Sequence, residues 1–404
     1  MPGRRRLPRA LLALVLSLVL LDLALTGLAI EDDLFLGVPL PPYGALTHPA
    51  QTRWVEALAQ EESEGNGRFD AELGWTWKHS SADDEGVTIG ALGARGPREY
   101  AARKPAGTTR VLAFGDSFTF CDDIADRFTF EHLLEHRYAD FEVLNFGVSG
   151  YGTDQALLRF RRLGRELEAD VVCIGILLEN IGRNVNRFRP LWSTRTGFAA
   201  TKPRFRLEGT ELVLVPQPFS SRHELRATLL DGTVLERIAE HEYWVGRPRV
   251  PTGRLSALAR IGAGWLAERE RDPERLWADP DGEPFLTTVA ILATFRDEAL
   301  AAGARLAPIL VFPTRQDLER RLEGTAYWSP FLAELERRGL DAIDLSVPLA
   351  ARERELRAAP DQGTLYFKSH LSSVGNSVVA DTLHRWIVEH RATGGADGEG
   401  GSDG

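Results

Sequence analysis

Cysteine is nearly absent from this chain of 404 residues: there are two, Cys121 and Cys173. Neither belongs to a C-x-x-C pair or a Cys/His cluster, so the sequence implies neither a structural zinc nor a disulfide framework. Cys173 stands in the apolar run Val171-Val172-Cys173-Ile174 and reads as a buried structural thiol. The nine histidines show no H-E-x-x-H spacing, and neither a metal nor a cofactor is expected. Positive charge is also in deficit. With 48 Lys and Arg against 58 Asp and Glu the formal charge is -10, and no basic stripe offers itself to a phosphate backbone. Nucleic acid is therefore not an expected partner, and no internal repeat points to a solenoid.

What is present is enough apolar material, 43%, for a full hydrophobic core. One long apolar run opens the chain. Arg4, Arg5, Arg6 and Arg9 precede Leu11 to Ile30, which is interrupted only by Ser17, Asp22, Thr26 and Gly27. About twenty such residues cross a bilayer as a helix, and the flanking arginines place the N-terminus in the cytoplasm and the rest of the chain in the periplasm. Gly27 and Ala29 are spaced like a signal-peptidase site, and a cut there would give a secreted protein. The stretch is longer than an ordinary signal peptide's, which favours an uncleaved anchor over residues 10–30. Asp22 opposes deep insertion by about 2.5 to 3.5 kcal/mol on insertion scales.

Residues 31–107 are rich in Pro, Gly and polar side chains with scattered aromatics such as Trp54, Trp75 and Trp77, and read as an extracytoplasmic extension of loops and short helices. From Arg110 the pattern changes to short apolar runs alternating with helical stretches, the signature of a parallel sheet with crossover helices. Strands are expected at Val111 to Phe114, Glu142 to Phe146, Val171 to Ile176, Leu306 to Phe312 and Ala342 to Leu345. Helices are expected at Phe128 to Arg137, Asp154 to Leu167, Pro284 to Ala302, Tyr327 to Arg338 and Ser373 to His390. Residues 190–284 interrupt the alternation and read as an irregular insertion by the active-site face, with a hairpin at Arg204 to Val215 turning near Glu208-Gly209. The α/β domain then runs over 108–392, followed by a polar tail, 393–404, expected to be disordered.

Four segments carry chemistry. In Val111-Leu112-Ala113-Phe114-Gly115-Asp116-Ser117 a buried strand ends at a glycine and delivers a serine where a helix begins, a place for a nucleophile or for a helix cap. Asn145-Phe146-Gly147-Val148-Ser149-Gly150 is a strand entering a glycine turn, able to aim backbone N–H groups at an oxyanion or simply to turn. Leu177-Leu178-Glu179-Asn180 closes a third strand with an amide, either a second donor or another cap. His370, in Ser369-His370-Leu371-Ser372, sits on a loop before a helix, where a base can titrate. Asp122, Asp123 and Asp126 follow the serine closely, as an acidic rim that disfavours anionic substrates or as charges favourable near a helix N-terminus.

Together these segments resemble the SGNH/GDSL hydrolase family over roughly residues 105–392, the insertion excepted. The resemblance implies a flavodoxin-like three-layer α/β sandwich with a parallel sheet. It also implies a serine hydrolase acting on carboxylic esters, with O-acetyl groups on extracytoplasmic carbohydrate as one substrate class. On this pattern Ser117 is the nucleophile, His370 the general base, and the Ser117 N–H, the Gly150 N–H and the Asn180 side chain the oxyanion donors. The chain departs from the family in two places: Leu178-Glu179-Asn180-Ile181 stands where Gly-x-Asn-Asp is usual, and Phe367 and Lys368 occupy the positions before His370 where the acid belongs. Asp361, on a Pro-Asp-Gln-Gly loop, is the candidate acid; without it a Ser-His dyad would operate. An acylated small molecule or polysaccharide is the expected partner. The competing readings are an O-acyltransferase of polysaccharide modification and a non-catalytic scaffold of the same fold, the latter favoured by the cation Lys368 beside His370.

Overall fold

The computed structural model describes residues 9–28, 30, 31, 34–36, 38–41, 43, 46, 48–59, 67–247 and 256–393. The expected disordered tail lies outside the described residues apart from Thr393. The chain divides into two compact units, one from residues up to 61, 186–201 and 218–275, the other from 62–185, 202–217 and 276 onward.

The second unit is built on five strands: β1 (Thr109–Phe114), β2 (Phe141–Asn145), β3 (Val171–Leu177), β4 (Ile309–Phe312) and β5 (Ala342–Asp344). All neighbouring pairs are parallel and the order is β5-β4-β3-β1-β2. This is the flavodoxin-like strand order, and such sheets place ligands outside the carboxyl ends of the strands. The helices are α1 (Ser117–Phe120), α2 (Phe130–Arg137), α3 (Thr153–Arg159), α4 (Asn180–Arg183), α5 (Glu283–Ala301), α6 (Arg315–Leu322), α7 (Ser329–Arg337), α8 (Ser346–Ala358) and α9 (Ser373–Thr393).

Alternate side chains leave opposite faces of a strand, and that sorts the core into two layers. Leu112, Phe114, Ile174, Ile176, Ile309 and Val311 meet α3, α5 and α7 on one face. Val111, Ala113, Cys173, Leu310 and Phe312 meet α1, α2, α6, α8 and α9 on the other. The three-layer sandwich expected from the sequence is thus the observed one, and Cys173 is buried in its core. All five expected strands and all five expected helices have counterparts. The short α1 and α4 and the longer α6 and α8 are not among the expected helices. In α6, Arg315-Gln316-Asp317-Leu318-Glu319-Arg320-Arg321-Leu322, only two leucines mark the buried side, too few for an apolar stripe.

The Arg204–Glu208 and Glu211–Val215 strands form the expected hairpin, and it belongs to this unit. Much of the extension also lies here, as the hairpins Gly67–Asp70 with Gly74–Trp77 and Ser81–Ala82 with Thr88–Ile89. The other unit holds the Arg9–Leu28 helix, the Pro49–Ala57 helix and, where an irregular segment was expected, the helices Arg222–Leu230, Val234–Ile238 and Ala257–Glu270. Ser221 and Ser256 cap two of them through their side-chain oxygens.

Candidate active site

β1 ends at Gly115, and Asp116 then caps α1, its carboxylate accepting the Phe118 N–H at 2.9 Å. Ser117 therefore occupies the first position of α1, at the carboxyl edge of the sheet. β1, β2 and β3 are adjacent and parallel, so the segments that follow them, carrying Ser117, Gly150 and Asn180, emerge at the same edge. The loop after β2 reaches there by close approach. A Cβ on Gly147 would fall 2.3 Å from the Phe120 backbone nitrogen, and Gly150 sits at φ +80°, where only glycine is unstrained. Trp75 braces this loop, donating its indole N–H to the Ser149 carbonyl at 3.0 Å, while the Tyr151 hydroxyl donates back to the Trp75 carbonyl at 2.6 Å.

Asn180 opens α4 and is fully buried, yet among the described residues neither its Nδ2 nor its Oδ1 has a hydrogen-bond partner. Buried amides are nearly always satisfied, so this amide is a candidate donor to a ligand. Arg183, one turn on, donates to Asp116 Oδ2 at 3.3 Å and to the Tyr151 carbonyl at 3.1 Å, which ties the three sheet-edge segments together.

His370 is delivered by a two-residue hairpin turn, Phe367 pairing with His370 across Lys368 and Ser369, with Lys368 at φ +49°. Its ring lies 5.2 Å from the Phe118 ring, beside Ser117. The carboxylate that meets the ring is that of Asp123, whose Oδ2 stands 2.7 Å from His370 Nδ1. Asp361, the acid expected from the sequence, is exposed on the Pro360–Gln362 turn, and among the described residues no hydrogen bond or ion pair joins it to His370. Asp123 reaches the ring because Cys121 and Asp123 adopt left-handed conformations, φ +62° and +70°, which fold the chain back after α1. Asp tolerates that region better than most residues, and the doubled Asp122-Asp123 after a GDS serine is the only trace of this in the sequence.

Asp122 lies on the other side of the ring, its Oδ2 3.9 Å from His370 Nε2 and its Oδ1 accepting the Ser149 hydroxyl at 2.6 Å. The two carboxyls are tuned apart. Burial pushes Asp122 above the usual carboxylate range, and its Ser149 hydrogen bond and the His370 charge only partly offset that. Burial also acts upward on Asp123, but its His370 hydrogen bond and the charges of His370 and Lys368 outweigh it and hold the carboxyl low. Lys368 Nζ is 3.4 Å from Asp123 Oδ1, so the cation that favoured the scaffold reading is paired with the acid. Asp126 has a structural place, accepting from Arg95 Nε at 2.8 Å and from the Thr88 N–H at 2.9 Å. Among the described residues no hydrogen bond joins Ser117 Oγ to the His370 ring, whose position is fixed by Asp123 and Phe118. A cleft of about 330 Å³ opens on the far side of Asp122 and Asp123, lined also by Trp77, Asp83, Glu85, Arg95 and Lys368 but not by Ser117 or His370. Among the described residues no group of three His, Cys, Asp or Glu side chains is arranged to hold a metal.

Beneath the turn, Glu131 is buried against Cys121 Sγ at 3.6 Å, and desolvation raises its carboxyl to about 8 despite hydrogen bonds and the Arg95 charge acting downward. Its folded-state value exceeds the unfolded one, so its contribution to stability is complete below about pH 4.5 and declines as pH rises toward 8. The slope in that window should approach about 1.4 kcal/mol per pH unit. Glu131→Gln is expected to flatten it, as read from urea midpoints between pH 5 and 8; parallel wild-type and variant curves would refute the assignment.

No family model matches this sequence, and no curated protein does. Solved structures do. An acetyl xylan esterase aligns at 13% identity over 69% of this chain and 99% of its own, with a TM-score of 0.35. A catalytic mutant of an acetylxylan esterase from Geobacillus stearothermophilus aligns at 14% over 70% and 95%, TM-score 0.33. The lipase/acylhydrolase from Enterococcus faecalis aligns at 14% over 69% and 95%, TM-score 0.33. Likeness at this level leaves the chemistry to be argued from the site itself.

Proposed function

We propose that this protein is an SGNH-type serine esterase, anchored in the cytoplasmic membrane by the Arg9–Leu28 helix with its catalytic unit in the periplasm. The observation that carries the reading is the 2.7 Å contact between His370 Nδ1 and Asp123 on a ring packed against the nucleophile's helix. With Nδ1–H donating to Asp123, Nε2 is the unprotonated edge, as a general base requires.

In this mechanism the Ser117 hydroxyl attacks an ester carbonyl while Nε2 takes its proton. The tetrahedral oxyanion accepts hydrogen bonds from the Ser117 and Gly150 N–H groups and from Asn180 Nδ2. Collapse breaks the ester bond, His370 returns the proton to the leaving alkoxide, and water, deprotonated by the same nitrogen, releases the acid and free Ser117. The Asp122 and Asp123 carboxylates disfavour anionic acyl groups. A neutral ester avoids that repulsion, and an O-acetylated carbohydrate is the preferred substrate class.

Reaction of the purified full chain with a fluorophosphonate, followed by peptide mass analysis, tests the assignment: one equivalent should bind, on Ser117, with loss of aryl acetate hydrolysis. Labelling elsewhere, or none in a folded sample, would exclude Ser117 as nucleophile. Asn180→Ala is expected to lower kcat about 10²- to 10³-fold with little change in KM. Because the amide is buried without a partner, the variant should not be less stable, and a fall in kcat accompanied by a fall in melting temperature would instead mark Asn180 as structural.

A further inference from the structure

The Arg9–Leu28 helix is exposed and apolar, with a mean hydropathy of 2.4 over residues 10–27, yet it carries Asp22. That carboxylate is not bare. Its Oδ1 accepts from Ser256 Oγ at 3.1 Å and from the Leu258 N–H at 2.7 Å, the donors that open the Ala257–Glu270 helix. An acid at a helix N-terminus satisfies N–H groups that otherwise lack acceptors, so the two helices hold each other at that level.

Asp22 precedes Leu28 by six residues, roughly 9 Å along the axis. In a helix just long enough to cross the hydrocarbon core, that is below the membrane surface. The second helix begins at that level. Its Arg260 donates Nε to the Pro41 carbonyl at 3.0 Å and Nη2 to the Leu40 carbonyl at 3.4 Å, and Gly264 packs under Leu40, all in chain that follows the first helix. Arg260 is buried, and the next charge is Glu268. From 258 to 266 the exposed positions are Ala259, Gly262 and Trp265, flanked by the partly buried Leu258, Ile261 and Leu266, with Trp265 62% exposed and the Arg269 guanidinium 5.6 Å over its ring.

We propose that residues 257–266 of this second helix lie in the membrane beside the anchor, in the leaflet toward which the anchor's C-terminus points, with Trp265 at the head-group level. The proposal rests on the membrane-anchored reading above. Lipid is the fitting occupant because the apolar face continues the exposed surface of the first helix and ends in the tryptophan and mixed charges typical of an interface. A cut at the end of the first helix would strip Ser256 and Leu258 of this acceptor, so the proposal requires that the anchor is retained.

The test uses the full chain in phosphatidylcholine vesicles, with an environment-sensitive fluorophore on Trp265→Cys or, separately, on Val15→Cys; Cys121 and Cys173 are buried and free. The label at 265 should be quenched at least twofold more by lipid carrying a nitroxide near the head group than by lipid carrying one at the chain end, and be shielded from aqueous iodide. The label at 15 should be quenched by lipid. If 15 is quenched while 265 is iodide-accessible and insensitive to both lipids, the anchor stands and the proposal fails. If neither is quenched, the anchored reading fails with it. Shielding at 265 that depends on protein concentration, without lipid quenching, would assign the face to a second copy and overturn the proposal.

Discussion

Ser117→Ala and His370→Ala should each lower kcat for an aryl acetate about 10⁶-fold, and the double variant should fall no further. The two residues act in one proton transfer, so removing either removes the whole of it. Ser117 is 6% exposed, in the first position of α1, and among the described residues its hydroxyl makes no hydrogen bond on which the turn depends; truncation should leave the fold intact. His370 stands between two carboxylates, and its loss leaves Lys368 as the remaining cation beside Asp123. Initial rates on titrated enzyme, with circular dichroism as the folding control, decide the matter. Strictly additive losses would mean that Ser117 and His370 serve different steps, and more than a tenth of the activity surviving in Ser117→Ala would remove it from the mechanism.

The frame of this site was legible because its parts are local. A run such as Val111-Leu112-Ala113-Phe114 specifies a buried strand, and Gly115-Asp116-Ser117 its ending, within a few residues. The strand order could be expected only through the family resemblance. What could not be read depended on distant or unusual backbone. Asp123 meets His370 across 247 residues, and only because two successive turns adopt positive φ at Cys121 and Asp123, a choice set by tertiary packing. Asp22 looked like a pure cost to insertion until its acceptor role toward Ser256 and Leu258 was seen, 234 and 236 residues away. The Ala257–Glu270 helix covers Ala257, Arg260, Ala263, Gly264 and Ala267, small residues and an arginine, which do not read as a core-facing stripe.

Asp123→Asn should lower kcat about 10⁴-fold, while Asp361→Asn leaves it unchanged. The large figure follows from tautomer control. In the native site Asp123 Oδ2 accepts from His370 Nδ1 and Oδ1 faces Lys368 Nζ at 3.4 Å, so both oxygens are opposite donors. An asparagine has one acceptor and one donor end. Lys368 can only donate, so it draws the amide oxygen to itself and turns the NH₂ toward the ring. His370 must then accept at Nδ1 and carry its proton on Nε2, the tautomer unable to take a proton from Ser117. Removing the cation frees the amide to flip, and Lys368→Met in the Asp123→Asn background is therefore expected to recover part of the loss, at least tenfold. In the parent enzyme Lys368→Met should lift the hold on Asp123 and raise its carboxyl pKa, without approaching the effect of Asp123→Asn. Steady-state kinetics of the four variants separate the possibilities. If Asp123→Asn stays within tenfold of the parent while Asp361→Asn collapses, the acid lies on the 360–362 turn and the 2.7 Å contact has no catalytic part.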